Sequence, residues 1–375
     1  MSTPTPLRIL VFAGTRPECL KLAALVRSAR ADARCRVELV GSGQHPAMIR
    51  ATLADVELAT DRDLLPVPPG SSLSHTLGHL RAQMGAQIAA DRPDLVIVQG
   101  DTSTAYAGAL AARDAGVALA HVEAGLRTSN PLRPFPEEPF RRRIAPIARW
   151  HFAPTTGARQ HLLDEGVAAD RVHVVGNTIV DELRRAIATP RATATDWRAR
   201  GAQLLVLTLH RRETYGQALV AVCVTMLELL ERHEDLVLVC PVHPNPAVGL
   251  RVRRLLGAHP RCLLVAPMGY RDFVQLLGDA RLVVTDSGGI QEEAPYLGVP
   301  VLVAREATER PEALRAGAVE LVGHDHDRLI HAALRLLTAP RPTPVAFDAN
   351  APFGDGDSAP RILDLLMTSH HAESR

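Results

Sequence analysis

Lysine is almost missing from this 375-residue chain. Of its 42 basic side chains a single one, Lys21, is lysine, and every other is arginine. That scarcity excludes a GxxxxGK[ST] phosphate loop anywhere outside residues 14 to 21, and no GxGxxG opens a helix after the first strand-like run. Neither an ATPase nor a redox-cofactor enzyme is expected. Aromatic residues make up 3% of the chain and the formal net charge is +1. With few rings to stack on bases and no surplus of positive charge, a general nucleic-acid binder is excluded. The cysteines are few and odd in number: Cys19, Cys35, Cys223, Cys240 and Cys262. They lie scattered without a CxxC, so neither a disulfide framework nor a cysteine zinc site is expected. Reduced thiols and a cytoplasmic location fit this usage. No uninterrupted apolar run approaches membrane-spanning length. The opening "MSTPTPLR" lacks the basic start, apolar stretch and cleavage site of a secretory leader.

What is present is a regular alternation. Hydrophobic residues make up 46% and charged residues 22%, a globular profile. Short Val/Leu/Ile runs separated by helical patterns predict parallel strands buried on both faces. One series comprises "RILVFAG" (8 to 14), "RVELVGSG" (36 to 43), "DLVIVQGD" (94 to 101), "VALAHVEAG" (117 to 125) and "RVHVVGN" (171 to 177). A second comprises "QLLVLTLH" (203 to 210), "DLVLVCPVH" (235 to 243), "RCLLVAP" (261 to 267), "RLVVTDSGG" (281 to 289) and "VPVLVAR" (299 to 305). Each series suffices for one doubly wound α/β sheet. The strand-poor stretch 184 to 202 marks the boundary. The expected domains are residues 1 to 185 and 186 to 355, with a terminal helix in 356 to 375 packing back on the first. Ligands bind beyond the carboxyl ends of such strands. Two sheets facing an interdomain cleft would therefore present Arg16, Asp101, Glu123, His210, His243, Asp286 and Ser287 to it.

Several of these residues sit in informative local patterns. In "TDSGGIQEEAPYLG" (285 to 298) a strand ends at Asp286, then Ser287, Gly288 and Gly289 turn into a helix. Glycines admit a phosphate to backbone N–H groups, and a helix N-terminus favours negative charge. Glu292 and Glu293, one turn in, are placed for ribose hydroxyls; the plainer alternative is a strand–helix turn capped by Ser287. Arg16 and Lys21 bracket the first strand–helix junction, with Pro17 suited to the first helical turn. A lysine is a compact point charge and an arginine a planar fork, so a tight site is one reason to keep the former. Asp101, Glu123 and Glu137, together with His210, form a set suited to acid–base work. His75 and His79 have the i, i+4 spacing of a metal pair but no third ligand, and no metal is expected.

The segments "GTRPECLK", "GQH", "QGDTSTAYAGALAA", "HVEAGLRT", "PFPEE", "VVGNTIVDEL", "HRRET", "PVHPNP", "TDSGGIQEEAPYLG" and "REATERPEALRAG" run in order along nearly the whole chain. In this the sequence resembles the non-hydrolysing UDP-N-acetylglucosamine 2-epimerases. The resemblance implies two Rossmann-like domains in the arrangement of GT-B glycosyltransferases, a homodimer, and no cofactor. It implies interconversion of UDP-N-acetylglucosamine and UDP-N-acetylmannosamine by elimination of UDP to a 2-acetamidoglucal and re-addition. Asp101, Glu123, Glu137 and His210 match catalytic positions, and Arg16 and Lys21 match residues needed at the active site. Ser287, Gly288, Gly289, Glu293 and Arg310 match nucleotide-binding positions, with Phe273 near the uracil and His243 on the nucleotide side.

The sequence departs from the family in two places. Phe140 stands where an asparagine is usual, either altering substrate contacts beside Glu137 or filling a hydrophobic gap. Pro46, Ala47 and His79 replace residues near a second UDP-N-acetylglucosamine site, so activation by that sugar nucleotide is expected to be weak or absent. Three other activities share much of this pattern: a hydrolysing relative releasing N-acetylmannosamine, a glycosyltransferase, and a nucleotide-sugar-binding regulator without turnover. Epimerase for a modified UDP-hexosamine is a fourth.

Overall fold

The apolar runs form parallel strands in two separate sheets. The computed structural model describes residues 6–189, 203–209, 216–242 and 246–373. By its internal contacts the chain divides into one unit of Met1–Arg184 with Asp348–Arg375 and another of Arg185–Phe347.

In the first unit the strands are β1 (Leu7–Ala13), β2 (Cys35–Gly41), β3 (Arg62–Asp63), β4 (Leu95–Gln99), β5 (Ala118–Val122), β6 (Trp150–Ala153) and β7 (Val172–Val174). Their order is β3-β2-β1-β4-β5-β6-β7, parallel throughout. In the second unit they are β8 (Gln203–Thr208), β9 (Leu236–Pro241), β10 (Cys262–Val265), β11 (Leu282–Thr285), β12 (Val301–Val303) and β13 (Val319–Leu321). The order there is β10-β9-β8-β11-β12-β13, again parallel. Both are doubly wound, Rossmann-like sheets, as the strand pattern predicted. Strand order reverses between β1 and β4 in one sheet and between β8 and β11 in the other. Those are the crevices where polar groups at the strand ends stay open to a ligand.

The cores explain the runs. In β1, Val11, Phe12 and Ala13 have no exposed surface, and in β4 Val96 and Val98 have none. Each such large side chain contributes about 1.5–3 kcal/mol on burial. Three strands were not legible in the sequence. β3 has two exposed residues at a sheet edge, and β13 has three residues. β6 reads Trp-His-Phe-Ala, a run without the Val/Leu/Ile signature, although His151, Phe152 and Ala153 are fully buried.

The terminal helix Ser358–Glu373 packs along the helix Arg16–Ala31 in the first unit. The return begins at Asp348, earlier than the terminal helix itself. Phe353 is 1% exposed there, and its carbonyl accepts the Asn177 N–H at 2.8 Å. Asp181 then accepts the N–H groups of Ser358 (3.2 Å) and Ala359 (2.8 Å) at the start of the helix. A carboxylate at a helix N-terminus satisfies donors the helix cannot use itself.

Candidate active site

Two turns meet at the reversal point of the first sheet. One follows β1 and carries Gly14, Thr15 and Arg16. The other follows β4 and carries Gly100, Asp101 and Thr102. Gly14 is confined: a Cβ on it would lie 1.8 Å from Thr104 Oγ1 and 2.5 Å from Ser42 Oγ. The helix Arg16–Ala31 begins directly after β1 with Pro17 in its first turn. Arg16 is half-buried.

Lys21 lies one turn into that helix and is 5% exposed, so it does not occupy a solvated helix face. Its ammonium pairs with Glu123 Oε1. Gln99, at the end of β4, donates its amide to Glu123 Oε2, and Asn177 Nδ2 donates to Oε1 at 3.4 Å. Three donors from three elements thus fix one carboxylate. The backbone of Glu123 has φ +62°. A non-glycine residue in that region costs on the order of 1–3 kcal/mol, a strain that collects at functional sites.

Asp101 is half-buried, and its Oδ2 accepts Arg141 Nε at 2.7 Å. Arg141 comes from the helix Glu137–Ile144, which also brings Glu137 and Glu138. Glu138 is fully buried, accepts Arg141 Nη1 at 3.1 Å, and forms an ion pair with Arg142 Nε at 2.9 Å. Arg142 continues to Glu165 at 2.7 Å, and Glu165 takes a two-pronged contact from Arg127 at 2.8 and 2.6 Å. Asp101 is therefore one end of a continuous row of alternating charges. Glu137 is half-buried at the first position of the same helix.

Arg141, Gln99 and Asn177 were not among the candidate site residues expected from the sequence. Arg141 lies within a run of three arginines, and its spacing of four from Glu137 on a helix was the available signal. Glu18 was also missed. It is fully buried in the first helical turn, and burial raises its pKa to about 7 against hydrogen bonds from Thr102 and Gly14. His121 is buried as well, with Nε2 2.7 Å from the Gly100 carbonyl, and desolvation pulls its pKa down to about 4. A neutral imidazole donating from Nε2 to that carbonyl follows.

Phe140 is 2% exposed and stacks on Tyr106 with ring centroids 4.8 Å apart. It fills a hydrophobic gap. His79 Nε2 lies 3.2 Å from the Leu65 carbonyl and His75 Nδ1 3.0 Å from Ser71 Oγ, so both take part in local hydrogen bonds. Among the described residues no group of three or more His, Cys, Asp or Glu side chains has a metal-binding arrangement. His210 and His243 lie outside the described residues.

The second unit has its own reversal point. Thr208 of β8 and Thr285 of β11 join their hydroxyls at 2.7 Å across it. Thr285 Oγ1 also accepts the Ser287 N–H at 3.0 Å, and Asp286 between them is fully buried. The helix Gly288–Leu297 starts here with Ser287 in the cap position, and the Ser287 side chain makes no capping bond. A Cβ on Gly288 would lie 2.7 Å from Arg310 Nη1. The Arg310 guanidinium thus presses on the first helical residue, which a side chain there would prevent. Arg310 pairs with Glu292 and lies 3.3 Å from Glu309, which also holds Arg305 at 3.0 and 3.1 Å. Glu293 accepts the Tyr270 hydroxyl at 3.0 Å. Gly289 follows in the first turn, and Phe273 is half-buried on the helix Tyr270–Asp279. A helix N-terminus with a guanidinium laid against it suits an anionic group such as a phosphate.

Comparison with known proteins adds to this geometry. A family model described as UDP-N-acetylglucosamine 2-epimerase matches residues 27–367. A Ralstonia solanacearum protein named "Probable UDP-N-acetylglucosamine 2-epimerase" is 40% identical over 369 residues, covering 96% of this chain and 98% of its own. The UDP-N-acetylglucosamine 2-epimerase of Escherichia coli strain K12 is 38% identical over 372 residues, covering 97% and 99%. The crystal structure of the Neisseria meningitidis UDP-GlcNAc 2-epimerase bound to UDP-GlcNAc is similar with a TM-score of 0.90 at 33% identity, covering 96% of this chain and 100% of that one. With two Rossmann-like units, matching sequence over nearly its full length and acids gathered at a strand-order reversal, the chain belongs to the UDP-N-acetylglucosamine 2-epimerase family.

Proposed function

We propose that this chain interconverts UDP-N-acetylglucosamine and UDP-N-acetylmannosamine without releasing free sugar. The observation that carries the reading is the Lys21–Glu123 pair beside the Asp101–Arg141 pair at the carboxyl end of one sheet. The hydrogen on C2 of the sugar has no neighbouring carbonyl to acidify it. The bond from C1 to the UDP oxygen therefore breaks first, UDP leaving with the electron pair. C1 becomes cationic, a base removes the C2 proton, and C1 and C2 share a double bond in 2-acetamidoglucal. A proton returns to the opposite face of C2, and the UDP oxygen re-forms its bond to C1.

Asp101, Glu123 and Glu137 stabilise the cationic centre and move the protons in this scheme, with Lys21 balancing their charge. Arg16, His210, Arg310 and the helix start at Gly288 hold the departing diphosphate. Ser287, Gly289, Glu293, His243 and Phe273 serve the nucleotide. No cofactor enters the reaction. The active form is a cytoplasmic homodimer, and activation by UDP-N-acetylglucosamine is weak or absent because Pro46, Ala47 and His79 replace the usual residues. Among the described residues no helix is long and apolar enough to cross a membrane.

Incubation with UDP-N-acetylglucosamine in D₂O, followed by NMR, tests the reading. Deuterium at C2 of both UDP-sugars, with no free N-acetylmannosamine, is expected. Accumulation of UDP and free N-acetylmannosamine would replace it with the hydrolysing activity. Absence of C2 exchange would remove the epimerase altogether.

A further inference from the structure

Glu18 is a buried acid without a part in the scheme above. We infer that Glu18 is a positioning residue that ties the turn carrying Arg16 to the turn carrying Asp101 across the strand-order reversal. Its Oε2 accepts the Gly14 N–H at 3.0 Å, two residues before Arg16. Its Oε1 accepts the Thr102 hydroxyl at 2.6 Å, one residue after Asp101. The same hydroxyl oxygen accepts the Ala105 N–H at 3.0 Å and so caps the helix Ser103–Asp114. One carboxylate therefore joins the end of β1 to the end of β4.

The plain alternative is helix capping alone, because Thr15 and Glu18 have the spacing of a capping box. Such a glutamate serves its own helix and has no need of burial. Glu18 has no exposed surface and reaches a second element. Burying a carboxyl is unfavourable unless its oxygens find donors. Both oxygens find them here, and both donors belong to turns that carry residues of the proposed site. A shift of the Asp101 turn by about 1 Å is enough to cost a large factor in rate.

The inference rests on the epimerase reading for its kinetic arm and is independent of it for its structural arm. Glu18→Gln is the first variant: isosteric, uncharged, and able to accept with one oxygen only. The expected result is a fall in kcat of about tenfold to a hundredfold with KM changed by less than about threefold. Thr102→Val is expected to lower kcat by a similar factor, Thr102→Ser to retain activity, and the Glu18→Gln/Thr102→Val double variant to be no slower than the slower single one. Unchanged kcat in Glu18→Gln, or additive losses in the double variant, would overturn the role. Should Glu18→Gln fail to fold, the contrast between Thr102→Val and Thr102→Ser decides, equal kcat overturning the inference. Should the wild-type chain itself show no C2 exchange, the proposed reaction falls and hydrogen exchange of the full chain decides. Faster exchange at the Gly14 and Ala105 amides in Glu18→Gln supports the tie, and unchanged exchange overturns it.

Discussion

Lys21 rests its ammonium against the Glu123 carboxylate with the two side chains 6% and 7% exposed. Glu123 is already engaged by Gln99 and Asn177 and held in a strained backbone conformation. A cation fitting that remaining space must be compact and donate toward one oxygen. An ammonium does this, whereas a guanidinium brings a planar fork on a longer stem. The single lysine of an otherwise arginine chain has its physical explanation in this pair.

Lys21→Met should leave the Glu123 charge buried without its cation. Breaking such a pair costs about 3–5 kcal/mol. Urea denaturation should record a loss of that size, and Lys21→Arg should recover only part of it. Turnover by Lys21→Arg should fall by ~10²–10³, as for removal of one preorganised charge stabiliser. Wild-type turnover in Lys21→Arg would show that charge alone matters there.

Arg141 joins Asp101 to the buried Glu138 through two different nitrogens. Arg141→Lys keeps the charge and loses the fork, so Asp101 and Glu138 can no longer both be held. Turnover is expected to fall ~10²-fold or more. Affinity for UDP, which the second unit is proposed to hold, should change by less than about threefold. Calorimetric titration with UDP beside steady-state kinetics separates the two quantities.

Gly288→Ala places a Cβ where Arg310 Nη1 now lies 2.7 Å away. The guanidinium is itself held by Glu292 and Glu309, so it must abandon those partners or the helix start must shift. UDP binding should weaken about tenfold, the loss of a charge-assisted contact. An unchanged Kd by calorimetry would show that Arg310 does not act at this helix start.

Buried acids and buried histidines give opposite slopes over the same range from acid to neutral pH. The pKa of Glu18 is raised from 4.5 to about 7 by burial, so its protonated form suits the fold. Its contribution is fully present below pH 4.5 and is lost as pH rises through 7. The Tm difference between Glu18→Gln and wild type should therefore move in favour of the variant as pH rises from about 5 to about 8, whatever its offset at low pH. A relative loss over that window would contradict it. His121 and His151 are pulled down to about 4 and about 3, chiefly by desolvation. Their neutral forms favour the fold above pH 6.5, and that contribution is lost as pH falls through their folded values. Nitrogen-15 NMR at pH 5.5 should find both rings neutral, and a charged ring at that pH would refute the assignment.

The strand-end placement of several candidate residues was visible in the chain because the end of an apolar run leaves a local mark. Asp101, Glu123 and Ser287 each follow an apolar run, and the crevice rule for doubly wound sheets singles out such positions. Arg141 and Glu18 left no comparable mark. One is hidden in "RRR" and the other in "RPEC", where an acid in a first helical turn reads as ordinary capping. The strand β6 was missed because a fully buried histidine gives no apolar signal.

Periodicity and turn chemistry set the α/β alternation, the two sheets and the strand-end polar residues from the sequence alone, because those features depend on neighbours a few positions apart. Partnership was decided by tertiary structure. Lys21 meets Glu123 across 102 positions of chain, and Arg141 meets Asp101 across 40. Only the fold brings such groups out of water together, and burial among donors and counter-charges gives each carboxylate its position.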